Sequence, residues 1–171
     1  MKYICTKNLE YSDRLIIKAI RIWIRSMVYD QNSLPTLITL FNNYGVKKTV
    51  IPFDDFMGCI ALSSNKNYDF RKVNCNFVGE SEKNILLSLY YLQYNKLPVT
   101  SYYLSNLVIQ KFRGCAFESL KSICTNFIKA GLFFENPLKY LEYNNEKMWF
   151  NSKYKLKNNW IFNILRLLKI G

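Results

Sequence analysis

The stretch Leu120–Phe133, LKSICTNFIKAGLF, carries the reading on which the fold turns. Leu120, Ile123, Cys124, Phe127 and Ile128 recur at helical spacing, and Gly131 stands where a left-handed residue ends a helix. The spacing predicts a helix over 115–130 that buries those five side chains and breaks into an extended run at Leu132–Phe134. Upstream, 111–114 reads as a turn and a short helix runs from Thr100 or Ser101 to about Ile109. Before it come a turn over 95–98 and a helix over 80–94 with Ile85, Leu86, Leu89 and Leu92 inward. Downstream, Asn136-Pro137 turns the chain into a run over 139–143. The pair Asn144-Asn145 then joins that run to 148–150 as a predicted hairpin. Asn158 or Asn159 caps a closing helix with Trp160, Ile161, Ile164, Leu165 and Leu168 on one side.

The first half has a plainer rhythm. Ser12 or Asp13 caps a helix to about Tyr29 whose apolar face is Ile16, Ile20, Trp23, Ile24 and Met27. Ser33 caps a second, with Pro35 in its first turn, Leu34, Leu37, Ile38, Phe41 and Tyr44 at helical spacing, and Gly45 at its end. Pro52 opens a third, carrying Phe53, Phe56, Met57, Ile60 and Ala61 to about Ser64. Residues 63–67 read as a turn or linker, and 68–73 alternates as a short strand. The expected fold is mainly α. A helical N-terminal part (1–64) packs on a three-helix unit with a small β-hairpin (65–157), and an amphipathic helix (158–171) closes the chain.

At 171 residues, 50% hydrophobic and 16% aromatic, the chain can build a continuous core. Lys and Arg number 24 against 12 Asp and Glu, a net charge of +12 that favours an anionic partner. There is no histidine, which excludes Ser-His-Asp and Cys-His catalysis and histidine-ligated metals. The five cysteines, Cys5, Cys59, Cys75, Cys115 and Cys124, are odd in number and widely spaced. They read as reduced, mostly buried thiols of a reducing, cytoplasmic compartment, and a cysteine-only zinc site would have to gather four of them from distant places. Residues 1–12 lack the apolar region of a signal peptide, and no apolar run approaches the roughly 20 residues of a membrane-spanning helix. No Asp or Glu is followed two positions later by Lys, and Gly45-Val46-Lys47-Lys48-Thr49 lacks the earlier glycine of a phosphate-binding loop. No cofactor, metal or enzymatic activity is expected.

Helix, turn, short helix, turn, longer helix, glycine and hairpin is an order that resembles winged helix-turn-helix domains over about 79–154. The likeness rests on Leu120, Ile123, Cys124 and Phe127 followed by the break Ala130-Gly131-Leu132. It implies that the exposed face of the longest helix, Glu118, Lys121, Ser122, Thr125, Asn126 and Lys129, enters a major groove. With two Lys, one Glu and no Arg, that face suits phosphate contact better than base reading. The chain is also similar to an uncharacterised alphaproteobacterial helical protein family. Cys75, Ser81, Glu82, Ile85, Leu86, Leu87, Tyr91-Leu92-Gln93 and Ala130-Gly131-Leu132 carry that likeness, which implies an intracellular bacterial protein and no activity.

Two basic constellations stand out. Arg14, Lys18, Arg21 and Arg25 fall at i, i+4, i+7 and i+11, one stripe of a helix opposite its apolar face, with Glu10 and Asp13 offsetting one end. It is either a solvated face or a surface for phosphates or anionic lipid. From Lys147 onward six cations and no acid account for half the net charge. Lys153, Lys155 and Lys157 alternate with Tyr154 and Leu156, a basic and aromatic mixture that nucleic acid accepts. The closing helix can instead dock on the core or lie on lipid. The leading expectation is a non-enzymatic protein that binds nucleic acid, chiefly duplex DNA through its phosphates. Its contacts come from Lys111, Arg113, Lys121, Lys129, Lys147, Lys153, Lys155 and Lys157. The alternatives are a protein-interaction or effector module meeting its partner with an aromatic surface, and peripheral attachment to an anionic membrane through Arg14–Arg25 and the last helix.

Overall fold

The computed structural model describes residues 2–63 and 66–143. The fold is mainly α, as expected. In order come a short strand β1 (Lys2–Ile4), helices α1 (Tyr11–Val28), α2 (Leu34–Asn43), α3 (Val50–Leu62), α4 (Glu80–Gln93), α5 (Leu97–Ser105) and α6 (Gln110–Lys129), and a second strand β2 (Leu141–Tyr143). The anticipated closing helix, the Asn144-Asn145 turn and the run 148–150 lie outside the described residues.

Apolar periodicity places the core. Ile16, Ile20, Trp23, Ile24 and Met27 of α1, and Phe53, Phe56, Met57, Ile60 and Ala61 of α3, are all buried. A chain of rings joins the layers: Phe41 of α2 lies 5.4 Å from Phe53 and 6.4 Å from Phe127 of α6, and Phe127 stacks 4.9 Å from Phe134. The buried cluster runs from Ile4 to Phe134, so the two expected parts share one core. The most extensive helix pairing is α3 against α6. Two expected core residues, Ile38 and Ile128, are instead exposed, at 41% and 38%.

Several boundaries move. The first helix starts at Tyr11 with Glu10 as its cap residue, and Ser12 and Asp13 are buried inside it. Pro98 occupies the first turn of α5, so that helix begins and ends earlier than expected. The turn expected over 111–114 is helical, because the break falls at 106–109, where Ser63 Oγ accepts from the Ile109 amide at 3.1 Å. Gly114 therefore sits inside α6, at an intrinsic cost of roughly 1 kcal/mol that the flanking apolar contacts override.

The strands also differ. Residues 68–73 form no named strand. Instead the Tyr68 hydroxyl stands 2.8–2.9 Å from the carbonyls of Ile60, Ser63 and Leu107, anchoring the connection by its side chain. Leu132–Phe134 is irregular because the Gln93 amide takes the place of a neighbouring strand. Its Oε1 accepts from Phe134 N at 2.9 Å, and its Nε2 donates to Phe134 O at 2.8 Å. The expected partner of 139–143 was 148–150; the partner among the described residues is β1, antiparallel, with Lys2 opposite Tyr143 and Ile4 opposite Leu141.

One polar contact is buried at the centre. Arg21 of α1 and Glu82 of α4 are 3% and 0% exposed and form a two-pronged pair, Nε to Oε1 at 2.8 Å and an outer nitrogen to Oε2 at 2.9 Å. Arg21 also donates to the carbonyls of Cys75 and Phe77, while Glu82 accepts the amides of Arg71 (3.1 Å) and Gly79 (2.8 Å). The bond to Gly79 is the capping-box contact that starts α4.

Replacing Arg21 by Met or Glu82 by Leu strands the partner's charge, and each is expected to cost about 3–5 kcal/mol in denaturant unfolding; the double replacement is expected to recover part of that loss. Gly114→Ala meets nothing within 4 Å of the added Cβ and is expected to stabilise the chain by about 0.5–1 kcal/mol in the same measurement.

Candidate nucleic-acid interface

Helix α6 presents the face expected of it. Glu118, Lys121, Ser122, Thr125 and Lys129 are exposed and Asn126 is half-buried, while Leu120, Ile123, Cys124 and Phe127 turn inward. Lys111 is exposed in the first turn, its Nζ 5.5 Å from the centre of the Phe112 ring. Arg113 is half-buried and donates from Nε to Val108 O at 3.3 Å, so it is directed at its own helix start. At about 1.5 Å per residue, Lys111 and Lys129 stand ~27 Å apart along the helix. Lys147, Lys153, Lys155 and Lys157 lie outside the described residues.

The N-terminal stripe is broken. Arg14, Lys18 and Arg25 are exposed, but Arg21 is buried against Glu82, so it leaves the solvent face and supplies no charge to a partner. The helical projection put Arg21 in line with the others, yet α4 and the connection before it close over that part of α1.

Tertiary packing assembles a site that sequence spacing did not indicate. A 3-10 turn, Lys47–Thr49, links α2 to α3 and packs on α6. Lys47 and Lys48 thereby join Lys129, Asn126, Gly45, Val46 and Ala130 around an open groove of about 620 Å³. All three lysines are exposed, and among the described residues no carboxylate lines the groove and none of the three is in an ion pair. A second groove of about 450 Å³ lies between α1 and α2, with Lys18 beside Ile22, Leu40, Thr39 and Asn43. Asn43 and Gly45 line one groove each, so both border the C-terminal end of α2. In the sequence, the Lys47-Lys48 pair stands out only beside the phosphate-loop pattern it fails to complete. Its one local signal is two adjacent cations that follow, after Val46, a helix-ending glycine, Gly45, at φ 73°.

The acids expected to offset the stripe do not both face it. Glu10 is exposed and accepts from the Tyr140 hydroxyl at 3.1 Å. Asp13 is fully buried; its Oδ2 accepts from the Glu135 amide at 3.4 Å, and its Oδ1 has no partner among the described residues. Burial pushes this carboxyl up to about 7, with the charges of Glu135 and Glu10 adding to the rise and the Glu135 amide and Lys139 opposing it. The folded chain therefore holds a proton that the unfolded chain releases near pH 4, so the stability contributed by this carboxyl is fully present below that pH and is lost as pH rises toward 7. Asp13→Asn is expected to flatten this decline between about pH 4 and 7 in thermal melts.

No family model, curated protein or solved structure matches this chain.

Proposed function

We propose that this protein binds nucleic acid without catalysing a reaction, holding duplex DNA mainly by its phosphates. The observation that carries the reading is the groove where Lys47, Lys48 and Lys129 converge with no carboxylate among the described lining residues. Phosphate pairing by several lysines releases counterions and needs no base-specific geometry. The exposed Lys121 and Thr125 extend the same helix face beyond the groove. The finer proposal is that α4, α5 and α6 act as a winged helix-turn-helix unit with α6 against the major groove. It is supported by the helix order and by the inward and outward division of α6, and it includes Lys147, Lys153, Lys155 and Lys157 as wing contacts. Five cysteines without a disulfide support a reducing compartment such as the cytoplasm.

A protein partner is the second reading, favoured by a tyrosine ladder across α4 and α5. Tyr91 stacks on Tyr103 at 5.7 Å, Tyr90 meets Tyr91 and Tyr94 at 5.0 and 5.1 Å, and Tyr102 meets Tyr103 at 5.2 Å. Tyr94 and Tyr102 are 56% and 63% exposed, the amphipathic surface that protein interfaces favour. For a membrane partner, α1 offers charge alone, because its apolar face lies in the core; no helix among the described residues is long and apolar enough to cross a bilayer.

Fluorescence anisotropy of a labelled duplex separates these readings. Affinity is expected to fall steeply with salt, and Lys47→Glu/Lys48→Glu/Lys129→Glu is expected to weaken binding by at least ~10-fold and reduce the logarithmic salt slope by about 2–3. Tyr94→Ser/Tyr102→Ser should leave both quantities unchanged. A salt-independent or absent signal from the unmodified chain rejects the nucleic-acid reading.

A further inference from the structure

Tyr44 stands at the divide between the two grooves. It follows Asn43, which lines the groove beside Lys18, and precedes Gly45, which lines the groove of Lys47, Lys48 and Lys129. Half-buried, it packs against the core. Tyr11, the first residue of α1, meets it edge-on, with ring centres 5.0 Å apart and planes at 61°, yet stays 48% exposed. Arg14 and Lys18 follow Tyr11 at i+3 and i+7, so the three share one face of α1 over ~10 Å. All three are exposed. Neither groove has an Asp or Glu among its described lining residues. Of the acids beside Tyr11, Asp13 is buried and Glu10 accepts from the Tyr140 hydroxyl at 3.1 Å. The surface therefore passes from cations, across a pair of rings, to cations.

We propose that the two grooves form one track for an unpaired DNA strand, with a base stacking on Tyr11 where the strand crosses the end of α2. This rests on the nucleic-acid reading above and narrows its ligand to duplex that carries a single-stranded extension. Bases inside a duplex are stacked on one another and leave a neighbouring ring no free face, whereas an unpaired base presents its π-face to any exposed ring. An exposed tyrosine between two cationic grooves therefore has a use for an unpaired strand that it lacks for a blunt duplex. The phosphates on either side of the stacked base meet cations in both directions, Arg14 and Lys18 on one side and Lys47, Lys48 and Lys129 on the other. Contact with Tyr44 holds the Tyr11 ring in place before a strand arrives, so less side-chain freedom is lost on binding. Stacking accepts every base, so the preference is for an unpaired strand and not for a particular sequence.

The test is anisotropy of the full-length chain with three labelled probes: a blunt duplex, the same duplex with a single-stranded oligodeoxyadenylate tail, and the same duplex with an abasic tail of equal length. The adenylate tail is expected to tighten binding by about 10-fold. The abasic tail keeps the phosphates without the bases and is expected to recover only part of that gain. Tyr11→Ser is expected to lower the adenylate probe to the level of the abasic one with blunt-duplex affinity unchanged, and Tyr11→Phe to keep the full gain. Arg14→Glu/Lys18→Glu is expected to reduce the salt slope more for the tailed probes than for the blunt duplex. Equal affinity for blunt and tailed duplex, an abasic tail as effective as the adenylate tail, or a full gain in Tyr11→Ser overturns the proposal, while salt-dependent binding of the blunt duplex leaves the nucleic-acid reading standing. Absence of salt-dependent binding to all three probes rejects both.

Discussion

The ion pair between Arg21 and Glu82 is the constraint around which the rest of the fold is arranged. Two charges taken out of water cost several kcal/mol each unless almost every donor and acceptor is met. Here the guanidinium reaches both carboxylate oxygens and two backbone carbonyls, and the carboxylate accepts two amides besides. The acceptors and amides belong to the connection between α3 and α4. That segment is irregular, its polar groups met partly by side chains and partly by a single antiparallel bridge between Cys5 and Phe77, flanked by Thr6 N to Asn76 O at 2.8 Å and Val78 N to Ile4 O at 2.9 Å. Gly79 completes the arrangement, since a Cβ there would collide with the Asp69 carbonyl. One contact thus fixes α1 against α4, shapes the connection and starts a helix.

The seam of α3 and α6 organises the other side of the molecule. Phe41, Phe53 and Phe127 interlock the helices, and the turn before α3 is pressed onto the end of α6. That placement brings Lys47 and Lys48 to Lys129. The cationic groove is a consequence of that packing arrangement. Lys129 is far in sequence from the other two, and a lysine alone marks no site.

Local patterns were legible where a helix buries a continuous apolar face and ends on a clear signal. The cores of α1 and α3, the glycine endings at Gly45 and Gly131, and the inward face of α6 through Phe127 follow from side-chain spacing and backbone conformation within a few turns. The same reasoning misplaces the start of α6, because the roughly 1 kcal/mol preference against Gly114 inside a helix yields to tertiary contacts. It assigned a strand to residues 68–73 from alternation alone, where one tyrosine hydroxyl and a network of side chains hold the chain instead. Spacing alone also makes Ser12 or Asp13 a cap, since no local rule shows that α1 begins at Tyr11 and turns the Asp13 carboxyl inward.

By itself, the amino-acid sequence determined that this chain is mainly helical, strongly basic, without histidine and able to build an apolar core, because composition and short-range periodicity are properties of neighbouring residues. Only the tertiary structure decided which cations remain available to a partner. Arg21 has the same helical phase as its exposed neighbours, yet Glu82, distant in the chain, takes it into the interior; Lys47, Lys48 and Lys129 have no common phase, yet helix packing collects them. Charge acts through distance and desolvation, and both are set by contacts between residues that the linear order keeps apart.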